Sequence, residues 1–193
     1  MKVYTGSGDR GKTSLFSGER ISKNDLRIEA YGDVDELNSV IGGLIAGLPE
    51  ALEPLTDELT RIQGDLLDVG AWLATTPGSA AVEMLSPFKP EKVAWLEAAI
   101  DRLDENLPPL KGFILPGGHP AGAWAHIART VCRRAERHAL KVAPVPQDES
   151  ARMILTYLNR LSDYMFVLAR YCNQQTGTAE TLWEAVRTKD TTS

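Results

Sequence analysis

Apolar residues recur every three or four positions along most of this chain, and that spacing constrains its fold more than any other feature. Such a period places one apolar stripe along a helix, and the stripe must be buried against other helices. Five stretches show the pattern after the first 30 residues. Pro49 ends the first stretch, and Pro54, Pro90 and Pro120 open the next three. The spacing predicts an all-α fold, a five-helix bundle over residues 33–177.

One domain accounts for the whole chain. Its 193 residues are 43% hydrophobic, which is enough for one sizeable core, and no linker or repeat divides them. We therefore predict a single domain over residues 1–193. An irregular, glycine-rich N-terminal segment covers residues 1–30 and the bundle covers residues 33–177. A tail covers residues 178–193, with a short helix predicted around Leu182.

The start of the first predicted helix has its own signature. Asp33 and Glu36 have the spacing of a capping box, in which each side chain hydrogen-bonds a backbone N–H of the first turn. This spacing predicts that the helix begins at Asp33. Asp35 and Asn38 then lie three residues apart on a face outside the apolar stripe, where they either meet a partner or remain solvated.

Charge and cysteine content argue against several classes of protein. The net charge of −5 opposes non-specific binding to nucleic acid or an anionic membrane, except at the basic patch Arg129–Arg137. No apolar run reaches the ~20 residues of a membrane span, and Met1–Val3 leads directly into the glycine-rich segment, which predicts a cytoplasmic protein. Cys132 and Cys172 lack metal-site spacing, so we expect two reduced, buried thiols and no metal site.

The segment Gly6–Thr13 matches the pattern G-x-x-x-x-G-K-[ST] of a nucleotide-binding P-loop. A P-loop follows a strand and opens a long helix. Here Thr13 is followed by Ser14–Arg20, which contains a glycine and lacks a helical stripe. A P-loop-like nucleoside triphosphatase is therefore the lesser alternative.

The same segment suits phosphate binding without the P-loop fold. Gly6, Gly8 and Gly11 free the backbone to adopt positive φ and to aim successive amides at an anion. Hydroxyl donors stand beside them at Thr5, Ser7, Thr13 and Ser14. We interpret the segment as an anion-binding loop, and a flexible N-terminal arm is the alternative.

Arginines recur every four residues in the fourth predicted helix. Arg129, Arg133 and Arg137 share one face, with Glu136 beside them. A guanidinium is a planar fork that grips phosphate or carboxylate through two hydrogen bonds. An ordinary solvated face is the alternative. Together with the glycine-rich loop, the strip predicts a polyphosphate site, and a nucleotide is the expected ligand.

Five segments spread over nearly the whole chain carry a further signal. They are Tyr4–Gly11, Glu29–Asn38, Phe113–Gly118, Cys132–Arg137 and Leu158–Tyr164. In this order they closely resemble the PduO-type ATP:cob(I)alamin adenosyltransferases, also called corrinoid adenosyltransferases. Each segment is moderately specific alone, and their shared order argues against coincidence.

The resemblance implies a homotrimer that transfers the 5′-deoxyadenosyl group of ATP to cob(I)alamin, with an active site at each subunit interface. The products are adenosylcobalamin and triphosphate. By the same resemblance, one subunit contacts the triphosphate through Thr5, Gly6, Ser7, Gly8, Thr13, Ser14 and Lys23. The neighbouring subunit completes the ATP site with Arg133, Arg134, Ala135, Glu136, Arg137 and Asn159. Asp35 and Arg129 are expected to pair across the interface and to support catalysis.

The implied chemistry requires few side chains. Cob(I)alamin is itself a strong nucleophile, so no catalytic triad is needed, and the three histidines are predicted to be structural or exposed. Arg133, Lys23 and the loop amides are expected to stabilise the departing triphosphate, while Mg²⁺ bridges its phosphates. Phe113 is expected to wedge against the corrin and displace the lower cobalt ligand. A core phenylalanine that anchors the loop is the alternative.

Two questions stay open beside this resemblance. Gly6 stands where members of the family commonly carry Lys or Arg, and we expect the nearby Lys12 to supply that charge. An adenosylcobalamin carrier that delivers the cofactor to a mutase is the alternative of a different class. The implied partners are a reductase that supplies cob(I)alamin and an adenosylcobalamin-dependent mutase, with neither nucleic acid nor a membrane among them.

Overall fold

The computed structural model describes Tyr4, residues 6–142 and residues 149–183. Within these residues the chain forms five α-helices, two short strands and two short 3₁₀ helices. The regular elements are β1 (Lys12–Ser14), β2 (Arg20–Ser22), α1 (Leu26–Ala46), α2 (Leu55–Leu73), α3 (Pro90–Asp104), α4 (Pro120–Val142) and α5 (Glu149–Gln175). This architecture confirms the predicted all-α five-helix bundle.

Helix α4 is the central element of the bundle. It packs against α1 and α5, while α2 packs against α1 and α3 packs against α5. Its buried stripe consists largely of small side chains, which let the flanking helices approach closely. The stripe contains the fully buried residues Ala121, Ala125, Ala128, Ala135 and Ala139. Larger side chains from the neighbouring helices, such as Leu37 and Tyr157, fill the rest of the shared core.

The start of α1 differs from the prediction. The helix begins at Leu26, where the Asp25 side chain accepts a hydrogen bond from the first turn. Asp33 lies inside the helix and pairs with Arg134 (3.1 Å) and His138 (2.6 Å) of α4. The capping-box interpretation was wrong, because a long-range ion pair uses the same residue type as a helix cap. The bundle therefore starts several residues earlier than residue 33.

β1 and β2 form a small antiparallel hairpin directly after the glycine-rich loop, with Thr13 opposite Ile21. Leu15 is buried, and Phe16 N donates a hydrogen bond of 3.0 Å to Ala74 O at the end of α2. The loop thus leads into a strand and not into a long helix. This arrangement excludes the P-loop fold as an explanation of the motif.

Two further expectations concern the cysteines and membrane spans. Cys132 and Cys172 are both buried and form no disulfide, as predicted. Burial raises the pKa of both thiols, that of Cys172 to about 12, so neither ionises near neutral pH. In the described part of the chain, no helix combines the length and the apolar character that crossing a membrane requires.

A partly buried polar cluster joins α2, α3 and α5. Lys92 Nζ binds the carboxylates of Asp65 and Asp68, and the Tyr157 hydroxyl donates to Asp65 Oδ2 over 3.1 Å. The Phe88 ring packs edge-on against Tyr157, with 5.2 Å between the ring centroids. The polar groups of this cluster satisfy one another, so the cluster ties three helices together.

Candidate active site

The glycine-rich loop makes two tight turns before β1. Gly6 and Gly11 have φ values of 68° and 74°, a region that side chains other than glycine rarely adopt. Backbone hydrogen bonds close the turns, from Asp9 N to Gly6 O (3.3 Å) and from Gly11 N to Gly8 O (3.2 Å). A side chain at Gly6 would strain its turn, which gives a physical reason for glycine at that position.

Two basic residues of the following segment contact this loop. Arg20 Nη2 donates to Ser7 O over 2.7 Å, and Lys23 N donates to Gly11 O over 2.9 Å. The Lys23 ammonium lies close to Gly8: a Cβ atom added at Gly8 would be 3.3 Å from Lys23 Nζ. The structure thus places Lys23 beside the loop. Nothing in the sequence pattern of β2 had indicated that Arg20 holds the loop in shape.

The hydroxyl residues of the loop point in different directions. Thr13 and Ser14 are consecutive in β1, so their side chains lie on opposite faces of the hairpin. Thr13 is partly buried, whereas Ser7 and Ser14 are exposed. Thr5 lies outside the described residues. The Thr13 and Ser14 hydroxyls therefore lie on different faces of the hairpin.

The arginines of α4 fall into two groups. Arg133 is exposed and Arg129 is partly buried, and both line the same cavity. Arg134 faces α1 instead, where it pairs with Asp33 (3.1 Å) and Glu36. The predicted basic strip is thus divided between a cavity wall and a helix–helix contact.

The other residues predicted for this part of the ATP site have local contacts. Arg137 Nη1 donates to Arg133 O over 2.8 Å, and Asn159 Nδ2 of α5 donates to Glu136 Oε1 over 3.0 Å. Ala135 is 0% exposed and packs in the core. Its side chain therefore does not reach the surface of this chain. The reason is that Ala135 belongs to the apolar stripe of α4.

An open cavity of about 720 Å³ lies between α4, α5 and the loop that precedes α4. Most of its walls are carbon-rich, and basic groups border it. The lining includes Leu110, Ile114, Pro116, His126, Arg129 and Phe166. Phe113 also lines the cavity and is 80% exposed, so the alternative of a core phenylalanine is wrong.

The segment after α5 holds the Phe113 loop through backbone pairing. Trp183 N donates to Phe113 O over 2.7 Å, and Leu115 N donates to Thr181 O over 2.8 Å. Leu182 forms a β-bridge with the same loop, and the Phe113 and Trp183 rings meet edge-on at 6.4 Å between centroids. The predicted short helix around Leu182 was wrong, because this segment is extended and satisfies the backbone of the loop.

Two polar residues of α5 anchor the ends of the loop between α3 and α4. Arg170 is 4% exposed; its Nε donates to Glu180 Oε1 (3.1 Å) and its Nη2 donates to Pro108 O (2.7 Å). Asn173 Oδ1 accepts a hydrogen bond of 2.9 Å from His119 N. Helix α5 therefore positions the cavity loop from both sides. Sequence reasoning missed both residues, since each resembles an ordinary polar position of an amphipathic helix.

The three histidines have different surroundings. His119 Nδ1 accepts a backbone hydrogen bond of 3.2 Å at the start of α4, and His138 pairs with Asp33. His126 is buried in the cavity wall, and its burial, together with the Arg129 charge, lowers the pKa of its ring. His126 is therefore neutral at neutral pH. Within the described residues, no group of three or more His, Cys, Asp or Glu side chains is placed to hold a metal ion.

Asp35 lines a second and smaller cavity, of about 270 Å³. Its neighbours there include Phe16, Tyr31 and Leu67, and the Leu67 side chain is 68% exposed. Arg129 lines the larger cavity instead. Asp35 and Arg129, which the resemblance predicts to pair, therefore lie on different surfaces of one chain.

The glycine-rich loop and Arg129 are also well separated within one chain. Arg27, at the start of α1, donates to Leu73 O (3.1 Å) and to Val142 O (3.4 Å), the last residue of α4. A rise of about 1.5 Å per residue puts Arg129 roughly 20 Å from Val142 along α4. The segment that joins the loop to α1 thus lies at the C-terminal end of α4, far from Arg129.

Fold and site together define a helical-bundle protein with a large open cavity, an arginine-bearing wall and a separate glycine-rich loop. The sequence matches the family model described as cobalamin adenosyltransferase over residues 3–172. The chain belongs to the cobalamin adenosyltransferase family, which confirms the resemblance carried by its motifs.

Individual relatives agree with this assignment. The chain is 44% identical over 186 residues to the corrinoid adenosyltransferase of Bacillus subtilis, covering 95% of this chain and 93% of that protein. It is 43% identical over 185 residues to the human corrinoid adenosyltransferase MMAB, covering 94% of this chain and 73% of that protein.

Solved structures agree as well. A variant PduO-type ATP:corrinoid adenosyltransferase from Lactobacillus reuteri, complexed with cobalamin and ATP, superposes with a TM-score of 0.87 at 36% identity. That match covers 95% of this chain and 100% of the other. A second variant from Lactobacillus reuteri, complexed with ATP, gives a TM-score of 0.84 at 37% identity and covers 94% and 100% of the two chains.

Proposed function

We propose that this protein transfers the 5′-deoxyadenosyl group of ATP to cob(I)alamin, forming adenosylcobalamin and releasing triphosphate. The observation that carries the proposal is the cavity of about 720 Å³, whose carbon-rich walls suit a flat macrocycle and whose border carries Arg129 and Arg133. The family relationship supports it, and a similar structure from Lactobacillus reuteri holds both cobalamin and ATP.

The site is completed by a second copy of the chain. Within one protomer, the segment after the glycine-rich loop lies roughly 20 Å along α4 from Arg129, and Asp35 lines a different cavity from Arg129. A neighbouring copy can bring its loop over the arginines and its Asp35 against Arg129. A homotrimer closes three such contacts in a ring. The exposed Leu67 beside Asp35 is apolar surface that this interface would bury.

ATP lies between the loop of one copy and α4 of the next. The amides of residues 6–8, the Lys23 ammonium and one of the β1 hydroxyls bind its phosphates. Arg133 faces the triphosphate because it is exposed at the cavity border. Arg134 acts by positioning α4 through its pairing with Asp33. Mg²⁺ bound with ATP would supply positive charge that offsets the phosphate charge, and such an ion would require few protein ligands.

The chemistry is a direct displacement. The cobalt(I) of the corrinoid substrate attacks C5′ of ATP, a cobalt–carbon bond forms, and the C5′–O bond breaks with its electron pair leaving on triphosphate. Because cobalt supplies both electrons of the new bond, the protein provides no nucleophile or base. Its residues align the two substrates and stabilise the charge of the leaving group. Phe113, exposed at the cavity, covers the lower face of cobalt and keeps a lower ligand away.

Incubation of the purified chain with ATP and chemically reduced cobalamin tests this function. The visible spectrum of adenosylcobalamin should develop, triphosphate should accumulate in equal amount, and a sample without ATP should show neither. A chain that binds adenosylcobalamin but never forms it would be a carrier instead. Release of ADP and phosphate would indicate a nucleoside triphosphatase.

The activity also implies its cellular context. It consumes ATP and requires a reductase that supplies cob(I)alamin, and the cytoplasm is the location we propose because it provides both. An adenosylcobalamin-dependent mutase is the expected recipient of the product. Pull-down of the chain loaded with adenosylcobalamin, compared with the unloaded chain, measures whether such a recipient binds the product-bound form preferentially.

A further inference from the structure

His126 differs from the other buried polar side chains. Six polar or charged residues are buried in the described part of the chain, namely Asp65, Thr75, His126, Ser162, Arg170 and Asn173. Five of the six hydrogen-bond within the chain. His126 is 3% exposed, and neither of its ring nitrogens has a hydrogen-bond partner among the described residues. Such groups are rare in native proteins, because their desolvation is uncompensated.

The imidazole of His126 belongs to the wall of the larger cavity. Its ring lies 6.2 Å from the Phe166 ring between centroids, and Arg129 follows one turn later on α4. Arg129 Nε is also buried without a hydrogen-bond partner in that part of the chain. Two unsatisfied polar groups on adjacent turns therefore line one cavity. The proposed subunit interface pairs Arg129 with an aspartate of the neighbouring copy, which leaves His126 to be satisfied by a ligand in the cavity.

The chemistry of a neutral imidazole limits which chemical groups of a ligand can hydrogen-bond to His126. Burial and the Arg129 charge both disfavour protonation of His126. One ring nitrogen then donates a hydrogen bond and the other accepts one. A phosphate group only accepts and is matched by a cation, whereas a carboxamide both donates and accepts. Carboxamides project from the edge of a corrin ring, and the ring itself suits the carbon-rich walls.

We propose that His126 is a specificity-determining contact for the corrinoid, with its ring hydrogen-bonded to a carboxamide at the corrin edge. This inference rests on the proposed function, which places the corrinoid in the cavity. It assigns a binding role to a histidine that the sequence alone predicts to be structural or exposed.

Equilibrium binding of cob(II)alamin, followed by its visible spectrum in the presence of ATP, tests the contact. His126→Phe keeps a planar ring and removes both nitrogens, so binding should weaken about tenfold. His126→Gln supplies a side chain that both donates and accepts, so its affinity should stay within about threefold of wild type. The affinity for ATP, measured by calorimetry, should be unchanged in both variants.

A modified ligand separates this contact from a structural role. In each cobalamin monocarboxylic acid, one carboxamide is hydrolysed to a carboxylate. Wild type should bind one of these isomers distinctly more weakly than the others, and His126→Phe should lose that discrimination. Equal binding of all isomers by wild type would overturn the inference, even if His126→Phe failed to fold.

Two other results would overturn it as well. One is unchanged cob(II)alamin affinity in His126→Phe. The other is weaker binding of both ATP and cobalamin together with a changed oligomeric state on size exclusion, since His126 would then serve the fold or a subunit contact. Because these are binding measurements, a wild type that binds cobalamin but forms no adenosylcobalamin would refute the proposed function alone.

Discussion

Two polar regions of this bundle differ in whether their buried polar atoms have hydrogen-bond partners. Between α2, α3 and α5, Asp65 accepts hydrogen bonds from both Lys92 and Tyr157. On the cavity side of α4, the ring of His126 and Nε of Arg129 have no hydrogen-bond partner among the described residues. Both regions contain buried polar atoms, so burial alone does not distinguish them.

The difference separates a stabilising cluster from a binding surface. Burial opposes the charge on Lys92, but its hydrogen bonds to Asp65 and Asp68 outweigh that effect and raise its pKa. The cluster thus compensates its own desolvation. Each unsatisfied buried group costs about 1–3 kcal/mol, and a fold retains such groups where a ligand or partner completes them. We therefore expect substitutions in the cluster to reduce stability and substitutions at the cavity to reduce activity.

Arg133→Ala should produce the largest effect on the cavity side. The variant lacks the guanidinium that faces the departing triphosphate, so kcat/KM for ATP should fall by about 10²–10³-fold. Its melting temperature should stay close to wild type, because Arg133 is exposed. Adenosylation rates and thermal melts measure the two quantities. Arg152→Ala is the matched control, since Arg152 is an exposed arginine on α5 that neither lines the larger cavity nor belongs to the predicted ATP site; an equal loss there would contradict a specific role for Arg133.

Asp65→Ala should produce the largest effect on stability. The substitution leaves the Lys92 ammonium and the Tyr157 hydroxyl without their shared acceptor, so the free energy of unfolding should drop by about 3 kcal/mol. The rate per folded molecule should be preserved. Urea unfolding measures the change, and Tyr157→Phe, which removes one hydrogen bond, should cost about 1 kcal/mol. If Asp65→Ala reduced activity without reducing stability, the proposed division between the two regions would fail.

Phe113→Ala tests the loop at the cavity edge. Without the Phe113 ring, the corrinoid is misaligned or a lower ligand binds cobalt again. The kcat should therefore fall by roughly 10–100-fold while the KM for ATP is retained. The 80% exposure of Phe113 predicts little change in melting temperature. Leu115→Ala, in the same loop and also exposed, is the control and should keep most of its turnover. Comparable losses of kcat in both variants would point to loop disorder instead of a role for the Phe113 ring.

The smallest expected effect is a pH dependence of stability. Burial and the Arg129 charge lower the pKa of His126, so the folded protein binds its proton less readily than the unfolded chain does. The contribution of His126 to folding stability is fully present above the pKa of His126 in the unfolded chain, about 6.5. This contribution declines as the pH falls below that value. Stability should therefore be lower at pH 5 than at pH 7. Urea unfolding at both pH values should show a smaller loss in His126→Phe; an identical loss would mean that other groups account for the dependence.

Much of this molecule could be predicted from local sequence pattern. Helix stripes depend on residues three and four positions apart; Leu37 and Ile41 of the first apolar stretch have this spacing, and both are fully buried. Spacing likewise singled out Arg129 and Arg133, the resemblance to a family singled out Phe113, and all three residues line the larger cavity. The resemblance to a family added the activity, which spacing alone does not contain.

The errors arose where a residue's role depends on a distant partner. Asp33 looked like a helix cap, but it pairs with Arg134, 101 residues later in the chain. Leu182 was expected in a helix, but it is extended because the Phe113 loop needs backbone partners. Contacts between separate elements also decide whether the His126 nitrogens have hydrogen-bond partners. The same kind of contact decides whether Arg134 faces a ligand or a neighbouring helix. Helical periodicity is a property of neighbouring residues, whereas hydrogen-bond satisfaction is a property of the packed chain, so only the former can be read from sequence spacing.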